Sequence, residues 1–358
     1  YGYDEDWTYT GFHPWGYTST DDYIRNRKTS SAEFRLISNE SSRLLDESTD
    51  WIIGIYSLRS KENLVRQYTY LSDDFTSNYD FDTYAVFFQL DSSLTDKLVL
   101  SNGMRYEKRK TEYDNSNGIA FSPDEDLWGG RIALKFFASD RTMIYGSVAR
   151  GYKAGGFNTD KTGLDEIKPE FDEEYLIEYE VGIKSRLLNN RLQFRASVFY
   201  DDRRDQQVKS SLVIARPDGT SEFVDFLGNA AEGTNRGLEV ETNWYATDNF
   251  KVIASLGLLN AEFDEFINEF GEDLSGREQA HAPSYTYNLA LEYRKSNWHM
   301  GISVDGKDEY FFSDRHAVKS DKYALLNAII GYESERWKIN IWGRNLSDKD
   351  YTTRAFGS

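Results

Sequence analysis

Apolar and polar residues alternate with a period of two along most of the chain, the pattern of strands with one apolar and one polar face. Ile177, Tyr179, Val181 and Ile183 fall on one side, and Glu178, Glu180, Gly182 and Lys184 on the other. Leu192, Phe194, Ala196, Val198 and Tyr200 alternate with Gln193, Arg195 and Ser197 in the same way. The pattern recurs at 238–244, 285–294 and 298–305, and more weakly at 82–90, 98–107 and 131–137. The runs are about 10 to 15 residues long. Strands of soluble domains average about 5 or 6, whereas a tilted strand needs about 9 to 11 to cross a bilayer.

The connections alternate as well. Short ones, "ASDR" (138–141), "LNNR" (188–191), "ATDN" (246–249), "KSN" (295–297) and "ESER" (333–336), have the composition of tight hairpin turns. Long polar ones are expected near 61–78, 112–126, 154–172, 263–282 and 308–321. Short turns at one end and long loops at the other are the sidedness of an outer-membrane barrel. Tyr285, Tyr293, Trp298, Tyr323, Tyr332 and Trp337 sit at strand ends, where interfacial girdles lie. The expected fold class is therefore all-β, a transmembrane antiparallel β-barrel with long extracellular loops and short periplasmic turns. A large soluble β-sandwich or β-helix is the other reading of the same alternation. Residues 20–345 hold about 15 strands by this count, 16 if 3–12 forms one.

Composition narrows the function. The chain has 358 residues, no cysteine, and 42 basic against 60 acidic residues, a net charge of −18. Without cysteine there is no disulfide framework and no thiolate metal site, and so acidic a chain is not expected to bind nucleic acid. A mean hydropathy of −0.67 reads as soluble, but alternating barrel strands have low mean hydropathy by construction. No apolar run approaches the roughly 18 residues of a membrane helix, and "YGYDEDWTYTGF" is no signal peptide. His13, His281, His299 and His316 lack ligand spacing, and no nucleophile elbow, phosphate loop or zinc-protease motif occurs. No enzyme is expected. The paired carboxylates Glu178/Glu180 and Glu239/Glu241 are read as lumen-facing charge, with Lys184 and Arg195 available to neutralise them.

Two surfaces are candidates for ligands. The stretch 4–23 carries Trp7, Tyr9, Phe12, His13, Trp15 and Tyr17, aromatics with polar neighbours that suit flat, partly apolar chelates or sugars. Asp73, Asp74, Asp80, Asp82, Asp124, Glu125 and Asp126 form acidic groups able to hold Ca²⁺ through oxygen, although a solvated loop has the same composition.

Three further stretches carry a resemblance. They are "YGSVARGYKAGGFN" (145–158), "NRGLEVETNWYATDNFKVIASLGLLNAEF" (235–263) and "INIWGRNLSDKDYTTRAF" (339–356). In this order and spacing they resemble the TonB-dependent outer-membrane receptors, of siderophore type, over nearly the whole chain. The matching motif positions are Arg150, Gly151, Gly155, Gly156, Phe157, Asn158, Asn345, Asp348 and Tyr351, read as structural. The resemblance implies a 22-stranded barrel around an N-terminal plug. Residues 1–358 would be its barrel portion, without the plug, the TonB box or the final strand. It also implies uptake of a scarce nutrient, an iron–siderophore or similar metal chelate. The implied partners are the TonB complex, outer-membrane lipid and lipopolysaccharide, and the small-molecule chelate. A passive porin-like channel and a soluble glycan-binding β protein are the competing functional readings. Within the first stretch, Arg150 shares the side of Ile144 and Val148 and is expected above the hydrocarbon, or re-aimed by a bulge near Gly151.

Overall fold

The computed structural model describes residues 21–69, 71–159, 168–215, 221–268, 271–314 and 316–355. Trp7, Tyr9, Phe12, His13, Trp15 and Tyr17 lie outside the described residues. The strands are β1 (Asp21–Ile37), β2 (Thr49–Tyr68), β3 (Phe75–Thr95), β4 (Leu98–Asn115), β5 (Ala120–Phe121), β6 (Asp124–Ser139) and β7 (Thr142–Lys153). They continue as β8 (Gly156–Phe157), β9 (Glu170–Phe171), β10 (Glu174–Leu187), β11 (Leu192–Ala215), β12 (Ser221–Tyr245) and β13 (Phe250–Phe266). The last four are β14 (Tyr285–Lys295), β15 (Trp298–Lys307), β16 (Tyr323–Glu333) and β17 (Lys338–Gly343).

The chain forms two compact units. The first comprises residues 1–90, 103–130 and 152–173. It holds β1, β2, β5, β8 and β9 and parts of β3, β4 and β6; β1 and β2 pair antiparallel, β5 adds to β4, and β8 pairs with β9. The second comprises residues 91–102, 131–151 and 174–358. In it β10 to β17 form an uninterrupted antiparallel meander, with Glu178 opposite Asp201, Lys184 opposite Arg195 and Arg195 opposite Glu241.

Along β10, β11, β15 and β17 apolar side chains are exposed. Tyr179 and Val181 are 50% and 62% exposed, and Val198, Ile302, Ile339 and Ile341 are exposed with them. A water-soluble sheet would cover such a face; here the alternation is inverted relative to a globular core, as a lipid-facing wall requires. Substantial packing is found instead at the long-loop ends. Val208, Ala231, Phe263 and Phe266 make a small core against Ala230 and Leu274.

Among the described residues fourteen strands have six or more residues, in keeping with the expected count of about fifteen, while β5, β8 and β9 have two residues each. One sequence expectation, the extent of the long loops, is corrected. Much of what was expected as loop is strand. β2 runs on to Tyr68, β3 starts at Phe75, and β11 and β12 reach 24 and 25 residues. At about 3.3 Å per residue, such strands are far longer than the ~30 Å hydrocarbon layer. Their outer parts are polar on both sides, so the period that marks a strand disappears while the ladder continues. Cross-strand polar pairs support these extensions on the outward side. Arg59 binds Asp82 through two hydrogen bonds (2.6 and 2.8 Å), Lys61 meets Asp80 at 2.6 Å, and Asn63 donates to Asn78 at 2.6 Å. The short turn at 188–191 has three successive left-handed residues, Leu188, Asn189 and Asn190 (φ 50°, 56° and 69°), a conformation the two asparagines tolerate.

Candidate functional site

The polar face of the first unit carries arginines set among aromatic rings. Along β4 the residues on this face are Arg105, Glu107, Arg109, Thr111 and Tyr113, and on β3 they are Tyr79 and Phe81. The Arg109 guanidinium donates to the Tyr79 hydroxyl at 2.7 Å and lies 4.8 Å from the Phe81 ring centre. Its Nε is buried without a hydrogen-bond partner among the described residues. Arg105 lies over Tyr56 (5.1 Å) and is paired with Glu107 at 2.6 Å, which also accepts from the Tyr152 hydroxyl at 3.3 Å. Arg66 lies over both Tyr23 and Tyr68.

The Gly-Gly-Phe-Asn element closes this wall. Gly155 donates its N–H to Glu125 at 2.7 Å, and an added Cβ would stand 2.4 Å from the Phe171 carbonyl oxygen. Only glycine fits so close an approach. Phe157 stacks on Phe121 (5.0 Å) and contacts Tyr113 (4.8 Å) and Tyr79 (6.0 Å). Asn158 ties the loop back by donating to the Lys168 carbonyl at 2.8 Å. In the second unit, Arg150 stays on the side of the exposed Ile144 and Val148, and its guanidinium lies over Tyr175 (4.4 Å) at the long-loop end of β10. At the far end of that unit Asn345 accepts the Lys349 N–H (3.0 Å), the Asp348 N–H meets the Asn345 carbonyl (2.9 Å), and Tyr351 packs on Tyr323 (4.5 Å).

The long-loop end of the second unit is organised differently. The segments 267–284 and 308–322 are joined by backbone and side-chain bonds. Arg277 donates to the carbonyls of Ser313 (3.1 Å) and His316, and its guanidinium covers Phe311. Asp314 accepts the Ala280 N–H at 2.7 Å, and the His281 N–H meets the Phe311 carbonyl at 2.9 Å. Burial pushes the Asp314 carboxyl above the usual carboxylate range, against the opposing pull of the Ala280 N–H, Arg277, His281 and Arg203. Lys319 bridges Glu278 (3.1 Å) and Glu309 (3.3 Å).

The carboxylates considered for Ca²⁺ have protein partners. Asp80 and Asp82 meet Lys61 and Arg59, Asp124 meets Lys108 at 3.3 Å, Asp126 accepts from the Tyr106 hydroxyl at 2.6 Å, and Asp74 accepts from Gln67 at 2.9 Å. Among the described residues no group of three or more His, Cys, Asp or Glu is placed to hold a metal. Lys184 does not reach Glu180. It rests over the Tyr145 ring (5.1 Å), and the Tyr145 hydroxyl takes Glu180, while Arg195 pairs with Glu241 at 3.4 Å. His299 lines a 750 Å³ groove on the polar face with Lys251, Arg294 and Asn327. The arginine–aromatic wall escaped sequence reading because its members come from β2, β3, β4 and the 152–158 segment. The alternation of Arg105, Glu107 and Arg109 with exposed Met104 and Tyr106 was the one available signal.

No helix among the described residues is long and apolar enough to cross a membrane, and the membrane-crossing elements are the strands. The family model for the TonB-dependent receptor-like β-barrel matches residues 1–346. The chain belongs to the TonB-dependent receptor β-barrel family, a class of transport receptors built as transmembrane antiparallel barrels in the outer membrane. It is 24% identical over 324 residues to the pesticin receptor of Yersinia pestis, matching 86% of this chain and 46% of that protein. The chain thus spans about half the length of the curated relatives it matches. Among solved structures it is similar to the ferric yersiniabactin uptake receptor FyuA from Yersinia pestis (TM-score 0.77, 21% identity, 95% of this chain and 52% of that one). It is also similar to the siderophore receptor PiuA from Acinetobacter baumannii (TM-score 0.74, 17% identity, 94% and 54%).

Proposed function

We propose that the protein to which this chain belongs is an outer-membrane receptor that imports a scarce nutrient, an iron–siderophore or similar metal chelate, with energy delivered by TonB. The observation that carries this reading is the family match across residues 1–346. The arginine–aromatic wall of Arg105, Arg109, Tyr56, Tyr79 and Phe81 supplies a surface of the right chemistry. Flat rings offer stacking area, and guanidinium groups meet the oxygen atoms of a chelate with paired donors. The relatives are about twice as long as this chain, and the plug and the TonB contact belong, in this reading, to that remaining length. The aromatics of residues 4–23, Trp15 and Tyr17 among them, are the first-contact candidates.

The test expresses the full-length gene in an iron-starved host lacking its own receptors and measures uptake of labelled iron chelates with and without TonB. Uptake that needs TonB supports the receptor. Uptake that persists without it makes the protein a passive channel and overturns the reading. Replacing Arg109 with Ala should lower chelate affinity about tenfold or more, since a charged hydrogen bond contributes about 1.5–3 kcal/mol.

A further inference from the structure

Three connections at the long-loop end of the second unit are tied to one another and, at Gln279, to the wall. Gln279 is 7% exposed. Its N–H meets the Ala261 carbonyl at 3.0 Å, its Nε2 donates to the Glu262 carbonyl at 3.0 Å, and its Oε1 accepts from Arg203 of β11 at 3.2 Å. Glycine at 233 leaves room for this seat, since an added Cβ would stand 2.8 Å from Gln279 Nε2. The wall side of the seat is irregular. The pairing of β11 with β12 shifts register between Arg203 and Gln207, Asp205 is left-handed (φ 52°), and the buried Gln206 Oε1 has no hydrogen-bond partner among the described residues. Buried Glu174 binds Arg203 and accepts the Gln207 N–H at 3.1 Å. From Gln279 the ties run outward. Arg277, Ala280 and His281 bind Ser313, His316, Asp314 and Phe311. Tyr310 and Ser320, both buried, bond to each other across their hairpin. The Tyr310 hydroxyl donates to the Thr353 carbonyl at 3.1 Å, and Tyr323 packs on Tyr351. Every donor and acceptor in this series belongs to the second unit.

We propose that the segments 271–284, 308–314, 316–322 and 345–355 form one cooperative cap, latched at Gln279, that opens and closes as a unit. Buried polar groups that lose their partners make the opening of any one segment costly. Opening 308–322 alone would strip Arg277 of two carbonyls and the Ala280 N–H of its carboxylate, and would free the Thr353 carbonyl. Opening 271–284 alone would break the same bonds to Ser313, His316 and Asp314 and the Arg203 bond as well. The joint event keeps the ties between segments and breaks those to the wall, which makes it the cooperative opening unit. The bulge biases that event. Left-handed Asp205 and the unpartnered Gln206 Oε1 burden the closed arrangement, and water can reach Gln206 once Gln279 leaves its seat.

The test measures amide hydrogen exchange of the full-length receptor in detergent. The chain has no cysteine, and Glu262 and Glu278 face each other in a β-bridge, so E262C/E278C places a disulfide across the latch. Comparing its oxidised and reduced forms locks and frees the cap without a change of sequence, so the side-chain losses at 262 and 278 are common to both. Locking should slow exchange about tenfold or more in 308–314, 316–322 and 345–355 as well as in 277–281. Q279A should do the reverse and speed exchange about tenfold or more in all of these segments. Y310F keeps the ring and removes only the hydroxyl, and it should speed exchange about threefold in 277–281, remote from Thr353. Slowing confined to 261–281 on oxidation overturns the proposal. So does a Q279A effect that stops at 284, or an unchanged 277–281 in Y310F, because each makes the segments independent loops. None of these readouts uses a chelate or TonB, so a failure of the uptake reading leaves the cap untouched.

Discussion

The two units anchor their long-loop ends by different physics. In the first, Phe157 is seated against Phe121, Tyr113 and Tyr79, and the approach is made possible by glycine at position 155. In the second, Arg277 and Asp314 clasp two segments through backbone carbonyl and amide groups, over the small core of Phe263 and Phe266. An aromatic anchor depends on shape and is indifferent to pH. A clasp of charged groups on backbone atoms is directional, and one of its members titrates. A receptor wall can thus be held rigidly at one place and responsively at another with the same strand scaffold.

Variants can break this contrast, the largest effect first. Phe263 is 1% exposed, and Phe263→Ala should cost about 3–5 kcal/mol of local stability, read as loss of hydrogen-exchange protection over 261–279; unchanged protection would remove the core from the clasp. Arg277→Met should cost about 1.5–3 kcal/mol, because two carbonyls lose a charged donor, and limited proteolysis should then cut within 308–321 but not within 154–159. In the first unit Gly155→Ala forces a methyl to 2.4 Å from the Phe171 carbonyl. Overpacking of this kind costs about 1–3 kcal/mol, and protease sensitivity should move to 154–171 instead.

A smaller effect is expected from pH. The Asp314 carboxyl is raised by burial above its ordinary 3.8. A raised carboxyl favours the protonated folded form, so its contribution is full below pH 3.8 and is lost as pH rises through the folded value. Asp273 in the same loop is lowered by bonds from Ser275 and works with the opposite sign, contributing above its ordinary 3.8 and failing as pH falls. The difference between wild type and Asp314→Asn isolates the contribution of the Asp314 carboxyl. Hydrogen exchange of 277–281 should weaken with rising pH in wild type relative to Asp314→Asn, while the aromatic anchor gives no such difference. The smallest effect belongs to the exposed Arg59–Asp82 pair, where Arg59→Ala should leave thermal stability almost unchanged, least affected at high salt. A larger loss on thermal melting would make the outward ionic ladder a structural element in its own right.

Residues 177–184 and 192–200 could be assigned to strand and to face from the sequence because burial and exposure alternate within a few neighbouring positions. β11 and β12 beyond Arg203 could not be assigned in the same way. Their outer parts lose the apolar side, and their support comes from Phe263 and Phe266 more than 30 residues away in sequence. The motif residues Gly155, Gly156, Phe157 and Asn158 were legible as a chain element but not as an aromatic seat, since Tyr79, Tyr113 and Phe121 reach it from other strands.

By itself the sequence determined the class of this protein. A period of two, sustained over bilayer-length runs and punctuated by alternating short turns, admits few folds, because every backbone polar group crossing lipid must be paired within a sheet. Only the tertiary structure decided which arginines stand among aromatic rings and which loops are clasped to each other. Those are juxtapositions across strands. They depend on register and on how far each strand runs past the membrane, and neither quantity is encoded in the local pattern that makes a strand.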